Sequence, residues 1–74
     1  MEKEEMIRWA MQEFGQYGVR EGEVEEALDE VMKFSSQHKT DHRKMKGIRE
    51  YLYQVKGYKI PFRSGRYRRL GEEV

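Results

Sequence analysis

The stretch TDHRKMKGIREYLYQVKG, residues 40–57, decides the architecture. Thr40 is a residue type that caps helix N-termini, and Asp41 is an acid suited to a first turn. From there Met45, Ile48, Leu52 and Val55 recur at steps of three, four and three, which makes one buried stripe. Gly57 supplies the left-handed stop, with Tyr58 placed for the hydrophobic contact that accompanies it. The spacing therefore predicts a helix over about residues 41–56. Its remaining faces carry Arg43, Lys44, Lys46, Arg49, Tyr53 and Lys56. One side is apolar, and the other is basic with an aromatic. Gly47 interrupts that helix at a cost of about 1 kcal/mol relative to Ala, and it lets either a neighbouring helix or a phosphate approach closely.

Two further helices precede it. Residues 2–16 open with Glu2, Glu4 and Glu5, acids that suit the positive end of a helix dipole. Met6, Ile7, Ala10, Phe14 and Tyr17 form an apolar stripe, and Trp9 falls off it, at a core edge or facing a partner. Gly15 and Gly18 end this helix. Residues 18–22 read as a turn anchored by Val19. A second helix over about 23–35 places Val24, Ala27, Leu28, Val31 and Phe34 on one face. Its other face is acidic, with Glu23, Glu25, Glu26, Asp29 and Glu30.

After Gly57 the period changes. Tyr58-Lys59-Ile60-Pro61-Phe62 alternates apolar and polar, Arg63-Ser64-Gly65-Arg66 is a turn, and Tyr67-Arg68-Arg69-Leu70 is rich in strand formers and charge. Two short runs around such a turn predict a β-hairpin over about 58–70. Pro61 restricts its run to an edge. Residues 71–74 read as a frayed acidic tail. The expected fold is mainly α with a small β-hairpin, in one domain spanning residues 1–74.

That order of elements resembles a winged helix-turn-helix domain, with the third helix as recognition helix and residues 59–70 as the wing. The run Tyr58 to Tyr67 resembles the wing of the arginine-repressor DNA-binding domain. The third helix lacks the Ser-Arg pair that this family carries near its start, so no base-contacting residue is carried over from it. The resemblance implies a DNA-binding architecture and nothing about effector sensing.

Composition points the same way. The chain has 74 residues, 39% of them charged and 36% hydrophobic, with no cysteine. A chain this short buries only about 60% of its unfolded surface. Without cysteine it has no disulfide or cysteine-zinc staple. No apolar run approaches the roughly 18 residues of a membrane span, and no signal peptide opens it, so a cytoplasmic location is expected, on the nucleoid in a bacterium or archaeon. The net charge of +1 hides a strong asymmetry. Residues 1–32 carry three bases and ten acids, a net of −7; residues 33–74 carry twelve bases and four acids, a net of +8. Either the halves pair with each other, or one face suits a polyanion.

The sequence thus predicts a small sequence-specific DNA-binding protein, a transcriptional or recombination regulator. Its expected contacts are Arg43, Lys44, Lys46, Arg49, Tyr53, Lys56 and Lys59, with Arg63, Ser64, Arg66, Arg68 and Arg69 on the wing. Double-stranded DNA is the expected partner and RNA a variant, with a homodimer through Trp9 and Met11 as an option. The alternative is an adaptor or inhibitor that docks a larger protein on the acidic face of the first two helices or on Trp9. No cofactor is expected. His38 and His42 are four apart but lack a third ligand for a metal. No nucleophile–base arrangement, phosphate-cradling glycine loop or convergent carboxylate pair points to an enzyme.

Overall fold

The computed structural model describes residues 1–34, 38–62 and 67–68. Helix α1 covers Lys3–Phe14, with Glu4 and Glu5 in its first turn. Its buried side chains are Met6, Trp9, Ala10 and Phe14. A single 3₁₀ turn, Gly15–Tyr17, carries the chain off the helix end. Gly18 then takes φ 87°, a left-handed conformation that side chains disfavour. Val19 is buried directly after it and pins this corner to the core.

Helix α2 covers Glu21–Lys33, beginning two residues earlier than the sequence suggests. The Glu23 carboxylate accepts the Arg20 backbone N–H at 3.1 Å, which satisfies one of the free donors at this helix start. Val24, Ala27, Leu28 and Val31 are buried. Phe34, expected on the same face, is instead 55% exposed at the C-terminal end.

Helix α3 covers Asp41–Gln54. Thr40 caps it as expected, its hydroxyl accepting from the Arg43 backbone N–H at 3.1 Å. Gly57 takes φ 79°, and the Tyr58 N–H closes the end on the Leu52 carbonyl at 3.0 Å. The buried side is Met45, Ile48, Arg49 and Leu52. Val55 is 60% exposed, because it caps the helix rather than continuing it. The most extensive packing is between α2 and α3, with α1 laid against both. At Gly47 the ambiguity of the sequence resolves towards packing. A Cβ there would stand 2.9 Å from the Val31 Cγ2 and 2.8 Å from the His38 ring, so the glycine is what lets α2 and the connector close onto α3.

The β-hairpin expected over 58–70 is not seen: no strand occurs among the described residues, and its expected turn at 63–66 and the tail 71–74 lie outside them. The three helices stand, and the winged helix-turn-helix fold class falls with the hairpin. In its place the described residues 58–62 and 67–68, together called the strap, lie over the helices without regular secondary structure. Ile60 and Tyr67 are buried, and the Tyr67 ring meets Phe14 edge-on at 5.6 Å. Helix side chains hold the strap by its carbonyls. Arg49 donates twice to Ile60 O, His42 Nε2–H donates to Tyr67 O at 3.2 Å, and the Trp9 indole N–H donates to Arg68 O. Ile60 lies against Arg49 and Tyr67 against His42, so the strap runs back antiparallel to α3. These carbonyls bond to side chains where a hairpin would bond them across a ladder.

Candidate nucleic-acid interface

Helix α3 positions the basic side chains, and the strap decides which of them stay available. Arg43 is exposed in the first turn, with its backbone N–H held by the Thr40 cap. Lys44 is half-buried, and its ammonium lies 4.0 Å from Asp41. Lys46 is half-buried and engaged within the protein. Lys56 crosses to α2 and pairs with Glu26 at 3.0 Å. Lys59 is exposed on the strap, as is the Arg68 side chain. Arg63, Ser64, Arg66 and Arg69, expected on the wing, lie outside the described residues.

Arg49 is the main correction. Expected among the exposed DNA contacts, it is only 8% exposed. Its Nε and Nη2 donate to the Ile60 carbonyl at 3.0 and 2.9 Å, and its Nη1 to the Glu50 carboxylate at 2.8 Å. A guanidinium fork held this way supports the strap and cannot also reach a guanine. Its planar cation serves another purpose. The guanidinium centre lies 4.9 Å from the Tyr53 ring centroid and 5.7 Å from that of Phe62, both within cation–π range. Tyr53 is 45% exposed and Phe62 is 70% exposed. Two aromatic rings are thus fixed at the surface around one buried cation. Beside them Arg49, Tyr53, Lys59, Ile60 and Pro61 line a shallow concavity of about 360 Å³.

Sequence reasoning missed Phe62, which it placed only as an apolar position of the alternating run 58–62. In a strand Ile60 and Phe62 share a face. Here Ile60 is buried and Phe62 is outside. Lys39, exposed just before the α3 cap, was missed as well; it extends the basic end beside Arg43.

The acidic face of α2 is drawn into the fold more than expected. The Tyr58 hydroxyl donates to Glu23, and this bond, followed by the Arg20 backbone N–H, holds the Glu23 carboxyl below its usual range. The Tyr51 hydroxyl donates to Glu26, which with Lys56 lowers that carboxyl too; the same bond pushes the Tyr51 phenol up to about 12. Lys3 sits between Glu25 and Asp29, 3.7 and 3.1 Å away. Trp9, offered by the sequence as a contact for a partner or a second copy, is 1% exposed beneath the strap, with its ring edge-on to His42 at 5.1 Å.

Among the described residues no group of three or more His, Asp or Glu side chains is arranged to hold a metal ion. None of the described helices is long and apolar enough to cross a membrane. Comparison with protein-family models, with curated proteins and with solved structures gives no match.

Proposed function

We propose that the protein binds nucleic acid through the outer side of α3 and the strap beside it. The observation that supports this reading best is the aromatic pair Tyr53 and Phe62, held at the surface around the Arg49 guanidinium and flanked by Lys59. Aromatic rings stack on bases, and cations nearby neutralise phosphates and release condensed counterions. Arg43 and Lys39 extend the positive surface to the other end of α3. The net of +8 over residues 33–74 is of the sign a polyanion requires.

A docking role for the acidic face has weaker support, because Glu23 and Glu26 are held by Tyr58, Tyr51 and Lys56. A protein-binding role is favoured instead by exposed Phe34 and Val55, which border an apolar groove between α2 and α3.

The test is titration of labelled oligonucleotides, followed by anisotropy, at about 50 and about 200 mM salt. Binding that weakens steeply with salt supports a phosphate-contacting face. No binding at the lower salt refutes the nucleic-acid reading and directs attention to the α2–α3 groove.

A further inference from the structure

We infer that the nucleic acid this face takes is single-stranded, with unpaired bases stacking on Tyr53 and Phe62; the inference rests on the nucleic-acid reading above. Three observations carry it. First, the side chain best placed to read a duplex from the middle of α3 is withdrawn: Arg49 is buried, with its donors on Ile60 and Glu50. Second, the outer face of α3 carries an acid at its centre. Arg43, Glu50 and Tyr53 lie on one side at helical spacing, and Glu50 is exposed. A helix pressed into a major groove would bring that carboxylate close to two phosphate backbones, whereas a single strand can route its one backbone past it.

Third, beside the exposed cations this surface offers two exposed aromatic side chains, Tyr53 and Phe62. In a duplex the base faces are stacked on one another and unavailable, so exposed rings gain little from it. In a single strand every base offers a π-face, and stacking is tolerant of sequence. Contact of both rings with one guanidinium restrains them, which lowers the cost of fixing them on binding. Ten residues separate Arg43 from Tyr53, about 15 Å along the helix axis. The cationic end at Lys39 and Arg43 is therefore placed to hold the backbone while bases lie on the rings at the other end. Lys59 beside the rings supplies a second phosphate contact.

The experiment compares one mixed sequence of roughly fifteen nucleotides as single-stranded DNA, single-stranded RNA and duplex DNA, by anisotropy at about 50 mM salt. The proteins are the native chain, Phe62→Leu, and Tyr53→Leu/Phe62→Leu, each checked for unchanged helical circular dichroism. Leucine keeps apolar bulk and removes the π-face. The native chain is expected to prefer a single strand over the duplex by about tenfold or more, with roughly five- to hundredfold weakening for each ring removed. Ring protons of Tyr53 and Phe62 should shift upfield on adding the single strand. Phe62→Leu alone decides the matter if the double variant fails to fold, since that side chain is 70% exposed. Equal binding of strand and duplex, or single-strand binding that both variants retain in full, overturns the inference and leaves the nucleic-acid reading standing. Failure of the native chain to bind all three probes overturns both. The DNA and RNA arms tell which backbone supplies the unpaired bases.

Discussion

Replacing Arg49 with lysine separates a residue that supports the strap from one that reads bases. Arg49→Lys keeps the charge and removes the fork. The Ile60 carbonyl now accepts from Nε at 3.0 Å and Nη2 at 2.9 Å, while Nη1 holds Glu50 at 2.8 Å. A single ammonium cannot reproduce three donors in a plane, so at least one bond to a charged donor is lost, worth about 1.5–3 kcal/mol. The contacts with Tyr53 and Phe62 weaken by a further ~0.5–1 kcal/mol. The expected destabilisation is then about 2–4 kcal/mol. At roughly 0.05–0.15 kcal/mol per residue the whole domain has only about 4–11 kcal/mol of stability. Urea unfolding followed by circular dichroism should show a large drop in midpoint, and thermal unfolding a loss on the order of 10–30 °C. Were Arg49 a solvent-facing base reader, the same change would alter stability by no more than about 0.5 kcal/mol and cost most of the binding energy of one base contact. An unchanged urea midpoint combined with lost oligonucleotide binding would refute the structural role argued here.

Other substitutions probe the packing and the charges. Gly47→Ala gains about 1 kcal/mol of helix propensity but sets a methyl against Val31 Cγ2 and the His38 ring, an overpacking worth about 1–3 kcal/mol. Net destabilisation of about 1 kcal/mol is expected in urea melts; stabilisation by this change would contradict the close approach. Glu50→Gln removes the acid from the outer face of α3 and should raise oligonucleotide affinity about two- to fivefold at low salt, while loss of its ion pair with buried Arg49 lowers the urea midpoint. Glu23 and Glu26 have carboxyls held below their ordinary value of 4.5, so their contribution to stability is present above that pH and lost as the pH falls through the lowered values. The Tyr51 phenol is raised from 10.0 to about 12, so its contribution is present below pH 10.0 and lost as the pH rises through about 12. An absorbance titration should show this late ionisation, and Glu26→Gln should move it down; a titration unaltered by that change would count against the bond.

The three helices were legible because each is written locally. Thr40 and Gly57 mark the ends of α3, and period-three-and-four stripes mark the buried sides. The errors fall where a second surface intervenes. Val55 fits the stripe of α3 in phase but lies past its last turn. Trp9 is off the narrow stripe of α1, yet it is buried because the strap covers α1 from another direction. Arg49 could have been suspected, since it stands four residues after Met45 and three before Leu52, on the buried side of the helix. Its type argued for solvent, and its position argued for burial. Position won because a partner for its donors was available.

That partner explains why the strap was misread. The alternation of residues 58–62 fits a strand, but a strand requires another strand to take up its carbonyls. The actual donors are Trp9, His42 and Arg49, 11 to 59 residues away from the carbonyls they hold and silent in any local pattern. Trp9 and Arg49 bury N–H groups, and buried donors need acceptors. Carbonyls inside a helix are already bonded to its own backbone. A bundle with such donors on the inner sides of α1 and α3 therefore favours a covering segment whose carbonyls are free, which a paired hairpin does not offer and an irregular strap does. Pro61, which has no N–H to pair, fits that role without strain. The same strap that satisfies Arg49 brings Phe62 beside Tyr53, so the surface rings exist because the buried cation needed an acceptor.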